Sequence, residues 1–382
     1  MSDFKAQNIL IIGGGIIGLS IARELHKRGC RNVTIIEKGK CGEEASWAAG
    51  GMLGPQAEAD EAGLFFEVCS ASRDLYPALA EELLDETGID IELDRSGTLY
   101  LAFTDDDVRE IRERYEWQRA AGMRVEILSA EEARRAEPFT SPDVREALLF
   151  PDDWQVENRK LLAALRRYAE INGIEIRENT RVERITVENG IVIGAETDQQ
   201  TFTADMTILA TGAWTSLIKL GIAEMPVKVE PVRGQVITFQ TAKRLFQRVI
   251  YSPRGYIVPR ADGRILAGST TEMVGFDRAV TETASRHLRE MASEIAPSTA
   301  GLPISDHWSG LRPVAADKMP VIGRLDGIGG LFVATGHYRN GILLAPWTAK
   351  NVADSLIDDD ASVYLDAFSP DRFRLRGVGT GN

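Results

Sequence analysis

The sequence predicts an α/β protein: a Rossmann-like nucleotide-binding domain assembled from separated segments, with a second, strand-rich domain inserted into it. Three observations predict it. A continuous apolar run at 8–12 leads into a glycine-rich turn and an amphipathic helix. Similar buried-strand runs recur near 33, 206 and 331, separated by helical and hairpin stretches. Two turn dipeptides, Asn189-Gly190 and Asp262-Gly263, each lie between segments that alternate polar and apolar residues.

The elements follow in chain order. The apolar run 8–12 reads as a parallel strand buried on both faces. Gly13 to Gly18 form the turn, and the helix runs over 16–28, with Ile17, Ile21 and Leu25 at four-residue spacing and Gly29 as its stop. His26 falls on the polar face of this helix and is expected in solvent. A second strand, 33–36, ends on Glu37. The acidic run Asp105 to Asp107, followed by Val108, Ile111 and Tyr115, reads as a capped helix start rather than a metal site. Strands at 181–187 and 191–197 form one hairpin, and strands at 251–260 and 264–270 another. A buried strand at 206–210 ends in Thr211-Gly212, and one at 331–334 runs into Gly336. Asn340-Gly341 then opens an apolar helix, and 377–382 is a frayed tail.

Composition narrows the function. A chain of 382 residues, at about 150 per domain, suggests two domains. Subtracting 44 basic from 57 acidic side chains leaves a net charge of −13, which repels phosphate backbones and argues against nucleic-acid binding. Three cysteines without a Cys-x-x-Cys pair fit a reducing cytosol. The longest apolar stretch, 9–22, is interrupted by glycines and is too short to span a bilayer, so a cytoplasmic protein is expected. The four histidines show no zinc spacing, and no catalytic triad is visible.

Chemistry is written most clearly at the turn. Gly13-Gly14-Gly15-Ile16-Ile17-Gly18 fits G-x-G-x-x-G. Gly13 permits the tight turn, Gly15 lets a pyrophosphate approach, Gly18 lets helix and strand pack closely, and the helix start offers N–H groups to phosphate. Glu37, about twenty residues on, suits the hydroxyls of a ribose. An acid there disfavours NADP and leaves NAD or FAD. The small-residue segment Ala45 to Met52 is either a surface for a flat ligand or plain packing. Arg312, held extended by Pro313, is either a fork for a carboxylate or half of an inter-domain salt bridge. Alternation places Arg254, Tyr256 and Val258 on one strand face, where Tyr256 either packs or offers its hydroxyl to a pocket.

These pieces together resemble a known family. The start through Ala48-Ala-Gly-Gly-Met-Leu-Gly54, Ala210-Thr-Gly212, Pro231-Val-Arg-Gly-Gln235, Tyr256-Ile-Val-Pro259, Trp308-Ser-Gly-Leu-Arg-Pro313 and Gly336-His-Tyr-Arg-Asn-Gly-Ile-Leu-Leu344 are similar to the D-amino-acid-oxidase-like flavoproteins, and within them to the glycine-oxidising members. The resemblance implies a Rossmann-like FAD-binding domain (1–88, 153–224 and 306–382) and an inserted α+β substrate domain (89–152 and 225–305) with a large antiparallel sheet. It implies that FAD is held non-covalently, since no cysteine lies near Arg312. The cofactor residues it marks are Gly13, Gly15, Ile16, Ile17, Gly18, Glu37, Lys38, Ala45, Ser46, Gly50, Gly51, Met52, Val182, Gly212, His337, Tyr338, Asn340, Gly341, Ile342 and Leu343. Arg312 is implied to bind the substrate carboxylate and Tyr256 to add a second contact, while Arg339 adds positive potential or holds pocket groups.

No side chain is expected to act as acid or base, because the flavin does the chemistry. The implied reaction is oxidative deamination of glycine and related small amines, such as sarcosine or small D-amino acids, with dioxygen as acceptor and hydrogen peroxide as product. It can feed thiamine thiazole synthesis, and the protein is implied to be a homo-oligomer. Arg254 and Thr271 depart from the pattern and point to a pocket for a bulkier N-substituted glycine. The rival readings are a dehydrogenase passing electrons to a quinone or carrier, and an FAD-stabilised structural subunit.

Overall fold

The computed structural model describes residues 4–358 and 363–373. One half is built on a six-stranded sheet in the order Val321–Arg324, Leu331–Thr335, Met206–Leu209, Ile9–Ile12, Val33–Ile36 and Glu175–Arg177. Neighbouring strands run parallel except at the Val321–Arg324 edge. The unbroken apolar character of Ile9–Ile12 has a direct cause. Ile9 and Ile11 face a core shared with the helices Ile16–Lys27, Asn158–Ile171 and Gly341–Ala353. Leu10 and Ile12 face the other way, onto Val182, Ile185, Val192 and Ala195 of a small four-stranded sheet. Both sides are dry, so alternation has nothing polar to display.

The small sheet contains the hairpin Val182–Glu188 and Ile191–Thr197, whose Asn189 and Gly190 both take positive φ, as the two-residue turn requires. The second half is an eight-stranded sheet in the order Ile304–Val314, Glu230–Gln240, Arg264–Gly268, Gly255–Pro259, Val249–Ser252, Thr98–Ala102, Glu146–Phe150 and Glu126–Ser129. It is antiparallel except where Val249–Ser252 meets Thr98–Ala102. The helix Glu282–Ile295 covers one face through Leu288, Met291, Ala292 and Ile295. The acidic run caps the helix Asp105–Ala120 as read from sequence: Asp107 N–H donates to Thr104 Oγ1, and the Asp107 carboxylate accepts from Thr104 N–H.

Two expectations change. The stretch 251–260 is two antiparallel strands, not one, because Pro253 and Arg254 form a turn that pairs Ser252 with Gly255. His26 is buried rather than solvated. The helix Asn158–Ile171 covers it, with Tyr168 Oη 3.0 Å from His26 Nδ1. The strand Ile304–Val314 lies whole in the eight-stranded sheet, paired along its length with Glu230–Gln240. The tail 377–382 lies outside the described residues. No helix among the described residues is long and apolar enough to cross a membrane.

Candidate active site

Residues of both large sheets line a cavity of about 1220 Å³. The glycine turn forms part of its wall. A side chain on Gly13 would meet Ala210 O at 2.4 Å, one on Gly14 would meet Cys41 Sγ at 2.4 Å, and one on Gly18 would meet Gly13 O at 1.9 Å. Gly15 differs: only Ser46 Oγ, at 3.3 Å, stands near its missing side chain, and the residue lines the cavity. Three glycines are thus demanded by the protein itself, and the fourth leaves room for something else.

Beside the turn, Glu37 is buried and accepts from Gly14 N–H at 2.8 Å and Gly39 N–H at 3.0 Å. It braces the turn while lining the cavity. Ile16 N–H donates to Ser46 Oγ at 3.0 Å, so this donor of the helix start is not free as the sequence suggested. Lys38 pairs with Glu44 and stands over the Trp214 ring, 3.9 Å from its centroid.

The short helix Ala45–Ala48 and the Gly50-Gly51-Met52 segment continue the wall. Gly51 has φ +72°, and a Cβ there would lie 2.1 Å from Val156 O. Val182 and Gly212 also line the cavity, together with His337, Tyr338, Asn340, Gly341 and Ile342. His337 is buried, 3.0 Å from Thr348 Oγ1, and burial pulls its imidazole down to about 3, so it is neutral. The helix Gly341–Ala353 starts after Asn340 as read from sequence. Two residues of the expected set are not on the wall. Gly18 serves the strand–helix contact described above, and Leu343 points into the core, its carbonyl accepting from Ser72 Oγ at 2.6 Å.

Arg312 reaches the cavity from the strand Ile304–Val314. Its Nη2 donates to Ser269 Oγ at 2.6 Å and its Nη1 to Thr270 O at 3.1 Å. Among the described residues no carboxylate pairs with it, so the inter-domain salt bridge is not formed. Tyr256 both packs and lines the cavity. Its ring stacks on Tyr251 (centroids 6.2 Å apart), which stacks in turn on Tyr100 (5.3 Å). Arg254, expected on the Tyr256 face, sits instead in the preceding turn, 3.3 Å from Glu294, and still lines the cavity, as does Thr271. Arg339 lines it too, with its charge matched by Glu58 at 3.6 Å.

Sequence reasoning missed the supports behind this wall. Arg260, wholly buried, donates to Gly50 O (2.9 Å), Val156 O (2.8 Å), Gln155 Oε1 (3.1 Å) and Asn158 Oδ1 (3.1 Å). Burial pulls its guanidinium down to about 10, against the raising influence of Glu157. Asn158 Nδ2 holds Ser46 O and Trp47 O, and Trp308 Nε1 holds Ala48 O. Glu58, which accepts from Tyr251 Oη at 3.0 Å, was also unmarked. An isolated arginine after a proline or an asparagine at a helix start carries no signal by itself. Only the fold brings them together.

The FAD dependent oxidoreductase family model, DAO, matches residues 8–355. The chain belongs to this family. Among its relatives, a glycine oxidase of Pseudomonas aeruginosa is 37% identical over 91% of this chain and 94% of its own length. A bifunctional protein ThiO/ThiG of Synechocystis sp. is 36% identical over 96% of this chain, which spans 54% of that protein. The crystal structure of glycine oxidase from Geobacillus kaustophilus superposes with a TM-score of 0.88 at 36% identity, covering 95% of this chain and 98% of the other. As a member of the DAO family the chain is an FAD-dependent oxidoreductase, and the room left at Gly15, beside the buried Glu37 carboxylate, fits a dinucleotide.

Proposed function

We propose that the chain oxidises the amine of glycine and related small amino acids, sarcosine and small D-amino acids among them, to the oxo acid and ammonia or amine. The observation that carries this reading is Arg312, a guanidinium anchored on the cavity wall with no carboxylate beside it among the described residues. A planar fork so placed suits a small carboxylate through two parallel hydrogen bonds. Names of full-length relatives at 31–37% identity support the same substrate.

The residues that would hold FAD are Gly13, Gly15, Ile16, Ile17, Glu37, Lys38, Ala45, Ser46, Gly50, Gly51, Met52, Val182, Gly212, His337, Tyr338, Asn340, Gly341 and Ile342. When bound, FAD supplies the acceptor for two electrons and a proton's worth of hydrogen from the amine-bearing carbon. The chain's own part is positional. Arg312 and Tyr256 fix the carboxylate, which sets the adjacent carbon at one place in the cavity. The buried, neutral His337 adds no cation against the substrate ammonium.

Dioxygen as the final acceptor, a homo-oligomeric state and supply to thiamine thiazole synthesis complete the reading, resting on the resemblance, with a cytoplasmic location resting on the sparse cysteines. We likewise read the two sheets as an FAD-binding and a substrate-binding domain. The test is to add glycine, sarcosine and D-alanine to purified FAD-loaded protein under nitrogen, following the visible band, and then to admit air. Bleaching by glycine followed by peroxide formation is expected. A band that no amine bleaches would remove the reading, and bleaching without peroxide would favour a dehydrogenase.

A further inference from the structure

The motif Val232-Arg233-Gly234-Gln235 marks the resemblance in sequence, yet the oxidation described above assigns it no task. In the structure Gly234 stands against Arg312, while Arg233 and Gln235 hold the segment that carries its acceptors. A side chain at Gly234 would stand 2.2–2.4 Å from the Arg312 guanidinium, so glycine leaves the space that group occupies. Gln235 N–H donates to Thr270 Oγ1 at 2.9 Å. Arg233, 4% exposed, donates from Nε (3.2 Å) and Nη2 (2.5 Å) to Glu272 Oε2. The two residues also exchange backbone hydrogen bonds, both at 2.9 Å.

Glu272 is the hub of this arrangement. Its Oε1 accepts from Thr270 Oγ1 and from Gln235 Nε2 at 2.8 Å. With the Arg233 fork on Oε2, all four lone-pair directions of the carboxylate are occupied. It therefore has nothing left to offer a ligand, and it does not line the cavity. What it holds is the segment 269–281, which links the strand Arg264–Gly268 to the helix Glu282–Ile295 without regular structure. That segment supplies both acceptors of Arg312, Ser269 Oγ and Thr270 O.

A free arginine side chain has many rotamers, and fixing one costs conformational freedom. Acceptors that are themselves immobile meet that cost before a substrate arrives, which raises affinity through preorganisation. We propose that Glu272, gripped by Arg233, is a positioning residue: it locks Ser269 and Thr270 so that the Arg312 fork already points into the cavity. The proposal rests on the reading of Arg312 as the carboxylate anchor.

Acetate, a carboxylate without an amine, is the probe, its binding followed through the visible spectrum of the FAD-loaded protein. For Glu272→Gln the acetate Kd is expected to rise about tenfold. The KM for glycine should rise in parallel, with kcat held within about twofold and FAD content unchanged. Arg233→Lys, which keeps the charge and loses the fork, is expected to give a smaller rise of the same kind and serves if the first variant does not fold. In an Arg312→Lys background, where no fork needs orienting, Glu272→Gln should change acetate affinity less than about twofold. Unchanged acetate affinity in both single variants would overturn the proposal, as would an undiminished effect in the Arg312→Lys background. Failure of glycine to bleach the wild-type protein would instead strike the reading of the reaction, leaving the acetate comparison to report on Glu272.

Discussion

Arg312 and Tyr256 stand on one cavity wall, but they are held by different means. The arginine is tied by two hydrogen bonds and the tyrosine by ring stacking. Loss of the arginine removes the charge. Arg312→Ala should raise KM for glycine by roughly 10- to 100-fold, the worth of a charge-assisted pair. Steady-state kinetics on the FAD-loaded variant checks this, and unchanged kinetics would take Arg312 out of the site. His337 yields a prediction about stability. Its folded value, near 3, lies below that of an unfolded histidine, so below about pH 6.5 the unfolded chain binds the extra proton. Stability carried by the neutral ring is therefore full above that pH and falls toward pH 3, by up to about 1.4 kcal/mol per pH unit. Thermal melts over this range should show the slope, and His337→Gln should flatten it.

At the level of elements, legibility followed how local the signal was. The strand Ile9–Ile12, the turn, the helix Ile16–Lys27 and the Asn189-Gly190 hairpin were all legible, since each depends on neighbours within the chain. The break after Ser252 was not. Alternation continues through it, although Pro253 and Arg254 turn the chain so that Val249–Ser252 pairs with both Gly255–Pro259 and, about 150 residues away in sequence, Thr98–Ala102. Arg260 was invisible for the same reason: its four acceptors lie 102–210 residues distant. It ties the Gly50–Gly51 turn to the start of the helix Asn158–Ile171. Arg260→Leu would strand Gly50 O and Val156 O without donors, so a loss of about 3 kcal/mol is expected, with weaker FAD retention. Denaturant unfolding and the visible absorbance of purified protein would measure both.

For the whole molecule, the family and the division into a parallel and a largely antiparallel sheet were readable from ordered motifs spread along nearly the full chain. Less legible was the path of Ile304–Val314, which lies in the eight-stranded sheet and leads into the segment that returns to the six-stranded one. The cavity draws its wall from both sheets, so occupation by FAD should stabilise both together. Stripping the cofactor should lower the melting temperature as a single transition, with about 2.7 kcal/mol regained at a FAD concentration 100 times its Kd. Two separate transitions, only one responding to FAD, would contradict that coupling.

The strand order carries a consequence for biosynthesis. Met206–Leu209 sits between Ile9–Ile12 and Leu331–Thr335, so one side of it stays bare until residues 331–335 have been translated. The His337–Ile342 stretch of the wall arrives later still. A ribosome-bound chain halted before that point would hold the glycine turn and Glu37 yet lack a closed pocket, so FAD is expected to be retained only after residue 342 has been translated.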